Sequence, residues 1–224
     1  MRRFLFENSL SVFFGVLFLA ALAGQSFAGQ RAFNDEERAH GGEPVSWLDY
    51  VLSSEFGQAV MENWQSEYLQ FTLFIFATVW FVQKGSPESK PLEDAGRESD
   101  QKQLIGGYAP ADGPRWAKVG GLRTAVYENS LLLVMTALFL GSWLAQSLTS
   151  WREYGEEQRE HGEAAPSWGG YVVDADFWER TLQNWQSEFL AVGTMVIFSV
   201  YLRQRGSPES KPVGAPHHET GSSG

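Results

Sequence analysis

The chain has 224 residues, no cysteine and a formal net charge of −10. That acidic balance excludes nucleic-acid binding, which needs clustered Lys and Arg to displace counterions. The missing thiols exclude disulfides, thiolate metal sites and cysteine nucleophiles. An apolar fraction of 43% and a mean hydropathy of −0.24 are ordinary for a soluble protein, but here the apolar residues are gathered into four runs.

The first run centres on Leu10 to Ala23 and predicts a membrane span over about 5–28. Arg2, Arg3 and the Ser26-Phe27-Ala28 segment also suit a secretory signal peptide. Glu7 and Asn8 interrupt that pattern, and a matching segment recurs in mid-chain, so an uncleaved helix is expected. Arg31 to His40 continues it as a polar helix, stopped by Gly41-Gly42. Ser46 is placed to cap a short helix carrying Trp47 and Tyr50, and a further helix from near Ser54 runs into a second span, about 64–83. Gly85, with Pro87 two residues on, reads as its C-cap. Residues 92–123 show no periodicity and read as a flexible linker. Spans over about 126–149 and 185–204 follow, with Ser167, Trp168 and Tyr171 between them and Gly206 and Pro208 after the second. The tail, 213–224, is expected to be disordered.

The two halves repeat. Glu7-Asn8-Ser9-Leu10 recurs at 128–131, Asn63-Trp64-Gln65-Ser66-Glu67 at 184–188, and Gly85-Ser86-Pro87-Glu88-Ser89-Lys90-Pro91 at 206–212. Each pair is 121 positions apart, and about 34 of 88 aligned positions are identical. The expected architecture is therefore an all-α membrane protein of four transmembrane helices. They form two parallel tandem repeats, 1–91 and 124–212, with short interfacial helices in the two outward loops. Twelve basic residues flank the ends of the spans on one side and five the other. Both termini and the linker are thus expected in the cytoplasm, in an inner (plasma) membrane.

Helical rise places shared polar residues in two layers. Gln25 and Gln146 are expected level with Asn63, Glu67, Asn184 and Glu188 at the outer boundary. Glu7 and Glu128 are expected level with Lys84 and Arg205 at the inner one, forming an ion pair in each repeat. Ionisable residues at membrane depth are functional candidates, which singles out Glu67 and Glu188. The competing reading is that these side chains tie paired helices together. Ala20 and Gly24, aligned with Gly141 and Ala145, allow close helix packing. Glu36 and His40, and Glu157 and His161, have the spacing of metal ligands. A His favoured by the helix dipole before a Gly cap explains both pairs as well, so no metal or other cofactor is expected.

Glu-Asn-Ser-Leu, Glu-Glu-Gln-Arg-Glu-His-Gly at 156–162, Asn-Trp-Gln-Ser-Glu-Phe-Leu at 184–190 and Gln-Arg-Gly-Ser-Pro-Glu-Ser-Lys at 204–211 carry a resemblance. The chain resembles a family of uncharacterised bacterial integral membrane proteins catalogued as a domain of unknown function. The first repeat departs from the family pattern at 34–40. The resemblance implies a membrane location.

No catalytic motif is present: there is no Gly-x-Ser-x-Gly, no His-Glu-x-x-His, no P-loop and no dinucleotide fingerprint. The expectation is a non-enzymatic membrane protein with a structural or accessory role. Its partners would be the bilayer and a second copy or another membrane protein. The alternative is an oligomeric ion or solute channel or transporter that uses Glu67 and Glu188.

Overall fold

The computed structural model describes residues 2–221, and every regular element among them is helical. The α-helices are α1 (Arg2–Glu7), α2 (Ser9–His40), α3 (Trp47–Val51), α4 (Ser54–Trp80), α5 (Arg115–Lys118), α6 (Gly121–Glu128), α7 (Ser130–Glu160), α8 (Trp168–Tyr171) and α9 (Ala175–Tyr201).

Two of them, α2 and α7, are long and apolar enough to cross a membrane, with mean hydropathies of 1.9 and 1.8 over their most apolar stretches. Only 6% of that stretch is buried in α2 and 22% in α7, whereas the core helix of a soluble protein would be mostly covered. Leu10, Phe13, Phe14 and Leu17 of α2 all stand exposed, an apolar surface that water does not favour. The helices α4 and α9, expected as the other two spans, do not meet the same measure. Their N-terminal halves carry Glu62, Asn63, Gln65 and Glu67, or Asn184, Gln186 and Glu188, and they end at Trp80 and Tyr201. The apolar remainder of each is about thirteen residues, roughly 20 Å of helix, short of a hydrocarbon core of about 30 Å.

The first expected span is also interrupted. Asn8 leaves helical geometry (φ −115°, ψ 19°) while its side-chain Nδ2 donates to the Phe4 carbonyl at 2.8 Å. Asn129 does the same before α7, with φ −110°, ψ 7° and a bond to the Ala125 carbonyl at 2.8 Å. An Asn amide that bonds its own backbone competes with the helix ladder, and the break follows.

The chain divides into two compact units. The first contains Met1–Met61 and Ala145–Val172. Gly41 closes α2 in left-handed geometry (φ 83°). The Ser46 hydroxyl accepts from the Asp49 amide at the start of α3, and Ser167 accepts from the Gly170 amide at the start of α8, the caps expected from sequence. Each following Trp then reaches back 21 residues. Trp47 Nε1 donates to Ser26 Oγ at 3.1 Å, and Trp168 Nε1 to Ser147 Oγ at 3.2 Å. Aligned positions do one job with different chemistry nearby. Gln30 Nε2 donates to the Val45 carbonyl at 3.1 Å, and Trp151 Nε1 to the Pro166 carbonyl at 2.8 Å. Tyr50, packed between Phe33 and Phe56, and the fully buried Tyr171, packed on Tyr154, fill the space beneath each loop.

The second unit contains Glu62–Leu144 and Val173–Gly224. Phe139, Trp143, Phe177, Trp178 and Trp185 form a continuous aromatic cluster, with ring centroids 5.6–6.4 Å apart. The segment between Pro91 and Gly121, expected to be a featureless linker, holds two 3₁₀ turns and α5. Trp116 packs on Tyr127, and the Thr124 hydroxyl donates to the Trp116 carbonyl at 2.6 Å. The tail over 213–221 lies against the end of α4: Gly85 N donates to Thr220 Oγ1 at 2.9 Å and Gly221 N to the Ser86 carbonyl at 3.0 Å. Residues 222–224 of that expected disordered tail lie outside the described residues.

Candidate functional site

The helices α4 and α9 meet through the Asn-Trp-Gln-Ser-Glu segments. Gln65 is fully buried, and its Oε1 accepts from Trp185 Nε1 at 2.7 Å. Ser66 Oγ donates to the Asn63 carbonyl at 2.9 Å and reaches Glu188 Oε1 at 3.4 Å. Arg180 bonds Asp176 at 3.1 Å and lies 3.8 Å from Glu62 across the contact, while Asn184 Nδ2 donates to the Arg180 carbonyl. Glu67 and Glu188, the carboxylates singled out from the sequence, stand within electrostatic reach of one another.

The Gly-Ser-Pro-Glu-Ser-Lys segments after these helices are two copies of one turn. Gly85 and Gly206 take φ of 89° and 85°, a region open to glycine at little cost. Ser86 and Ser207 accept from the amides of Glu88 and Glu209 at 3.3 and 3.2 Å. Ser89 and Ser210 accept from the amides of Gln83 and Gln204 at 2.8 and 2.9 Å. Lys90 Nζ donates to the Gly96 carbonyl at 2.8 Å, fastening the segment that follows. Lys211, only 1% exposed, donates to the carbonyls of Pro216, His217 and Glu219 at 2.9–3.1 Å and fastens the tail. The glycines, serines and lysines are therefore accounted for inside each turn. The glutamates are not: the Glu88 carboxyl is hydrogen-bonded to the Glu209 carboxyl.

Two like charges brought together disfavour ionisation, so the Glu88 carboxyl keeps its proton to higher pH than usual. The hydrogen bond to Glu209, then burial, then the Glu209 charge push the Glu88 carboxyl up to about 7. The pair sits on a groove of about 350 Å³ walled by Gln70, Phe71 and Phe74 of α4 and by Val192, Met195 and Val196 of α9. Glu88 also lines a neighbouring cavity of about 260 Å³ toward Phe81 and Gln83, and one of about 800 Å³ whose lining mixes Trp80 and Leu132 with Lys90, Arg97, Glu98 and Glu128. One titrating carboxyl thus touches three cavities.

A protein-family model described as "Domain of unknown function (DUF6766)" matches residues 1–222. The chain belongs to the DUF6766 family. No curated protein and no solved structure matches it.

The remaining expected residues of this DUF6766 chain lie as follows. Glu7 bonds Arg3 at 2.6 Å, one helical turn away, and Glu128 bonds Arg97 at 2.8 Å. Lys84 and Arg205 are both exposed. Gln25 is exposed, whereas the aligned Gln146 is fully buried with neither amide atom hydrogen-bonded. Ala20, Gly24 and Gly141 are exposed and Ala145 is half-buried. Nothing lies within 4 Å of where a Cβ would stand on Gly24 or Gly141. His40 and His161 each place Nδ1 on the carbonyl four residues earlier, of Glu36 and Glu157, at 3.0 and 2.9 Å. Among the described residues no group of three His, Asp or Glu side chains is placed to hold a metal ion. Glu88 and Glu209 belong to the repeated Ser-Pro-Glu-Ser-Lys segments, whose identity exceeds what a helix cap requires and suits a contact with a lipid headgroup or partner; the sequence does not single out the two glutamates or their pairing.

Proposed function

We propose that this protein is a non-enzymatic, multi-pass protein of a bacterial inner membrane. In this reading α4 and α9 cross the bilayer as α2 and α7 do, giving two tandem repeats of the same orientation. The termini and the acidic turns face the cytoplasm, and the α4/α9 seam carries protons or small cations, in one copy or an oligomer.

The observation that supports transport is the pairing of Glu88 with Glu209 on a groove between the two helices. A second pair of acids, Glu67 and Glu188, stands at the other end of the same seam. Carboxyls shared between equivalent segments are a means of holding and releasing a proton near neutral pH. The polar starts of α4 and α9 are compatible with a spanning role because Gln65, Ser66, Glu62 and Arg180 bond to other protein groups. The test is proton flux into vesicles reconstituted with the purified protein. Flux above empty vesicles, abolished by Glu88→Gln, is expected; equal leak with and without protein refutes transport.

The second reading is a structural or accessory role. It is favoured by the buried Gln65–Trp185 bond, which ties the two helices together whatever passes along them.

A further inference from the structure

The groove between α4 and α9 has a chemistry of its own. Its walls are Phe71 and Phe74 on one side and Ala191, Val192, Met195 and Val196 on the other, with Gln70 as the single neutral polar side chain. Its only charged lining groups are Glu88 and Glu209; no Lys or Arg lines it. At about 350 Å³ it is within the range of small-molecule sites, roughly 300–1,000 Å³.

We infer that this groove binds a monovalent organic cation with an apolar body, its charge set against Glu88 and Glu209. Three features select that class. The two carboxyls repel an anionic ligand, and there is no base in the lining to pair with one. An inorganic cation would leave the apolar walls unused. Aromatic rings attract an organic cation through their faces, and a Met side chain adapts its shape to an irregular apolar body. A lipid tail would fill the walls but has no use for the acids. Where Glu88 is protonated, a cation entering the groove displaces that proton, and the charge of the site is conserved. This inference rests on the reading of the seam as a cation route and names what that route would carry.

The experiment is equilibrium dialysis of tetraphenylphosphonium against the purified full-length protein in detergent, with detergent alone as blank. Saturable binding near one per chain is expected, tightening as pH rises through 7. Glu88→Gln with Glu209→Gln should weaken it at least tenfold, and Phe74→Ala severalfold. The exposed-site variant Glu160→Gln should bind as the parent does, provided each variant elutes as a single species. Uncharged triphenylphosphine oxide should not compete. Non-saturable uptake, equal uptake by the double variant, or full competition by the neutral compound each overturn the inference and leave partition into an apolar slot. Vesicle flux without cation binding would remove this inference and leave proton transport standing. Cation binding without flux would do the reverse.

Discussion

Trp185 Nε1 donates to Gln65 Oε1 at 2.7 Å across the α4/α9 contact, and Gln65 is fully buried. The aligned residue, Gln186, is exposed. Identical residues at equivalent positions thus differ in what they hold. Gln65→Leu leaves the Trp185 indole N–H without its acceptor and should destabilise the fold by about 1–3 kcal/mol. Gln186→Leu should change stability by less than about 0.5 kcal/mol. Thermal unfolding in one detergent compares the two, and equal effects would contradict the assignment.

Gln146 should behave in the opposite sense. Its amide is buried without a hydrogen-bond partner, and Ser150 Oγ, one turn on, is in the same state. An apolar side chain of similar shape removes the unmet desolvation, so Gln146→Leu is expected to raise the unfolding temperature. A fall would mean that the amide holds an ordered water or a partner group.

The Glu88 carboxyl has an ordinary value of 4.5 and a folded value of about 7. Below 4.5 the proton is bound in the folded and unfolded chains alike, and the stabilisation from the Glu88 proton is complete. Between 4.5 and 7 only the folded chain keeps it, so stability falls as pH rises and levels off above 7. The charged groups around Glu88 are Glu209, Lys90, Arg97, Glu98, Asp100 and Glu128. Denaturant midpoints measured across this window should slope downward in the parent. In Glu88→Gln the downward slope should largely vanish, and an unchanged slope would assign it to another of these groups.

Lys211 is the fastening of the tail through three carbonyls. Lys211→Met keeps the stem and removes the donors. Amide hydrogen exchange at 215–221 should then accelerate by a factor of ten or more, about 1.4 kcal/mol. Protection equal to the parent would show that the Gly85–Thr220 and Gly221–Ser86 bonds hold the tail alone.

The features read most directly from the sequence are local. The caps at Ser46 and Ser167, the Gly41 stop, and the helices beginning near Ser54 and Ala175 depend on residues only a few positions apart. Hydropathy identified α2 and α7 as apolar helices for the same reason. The order of the linker and tail was not legible, because Lys90 and Lys211 order them through backbone carbonyls that leave no periodic trace. The Glu88–Glu209 contact was hidden differently. In sequence each Glu is one charge in a Gly- and Pro-bounded turn, the place where solvated charges are commonest. Only when α4 and α9 pack side by side do equivalent residues 121 positions apart become neighbours.

The central claim is that the Glu88 carboxyl, hydrogen-bonded to Glu209, keeps its proton to near pH 7, and infrared difference spectroscopy of carboxyl protonation during a pH titration tests it most directly. One carboxyl titrating near pH 7 is predicted. In Glu209→Gln the Glu88 charge and hydrogen-bond partner are replaced by a neutral amide, and that titration should move down toward the ordinary carboxyl range. A parent protein with no carboxyl signal near pH 7, or a signal unmoved by Glu209→Gln, would contradict the account.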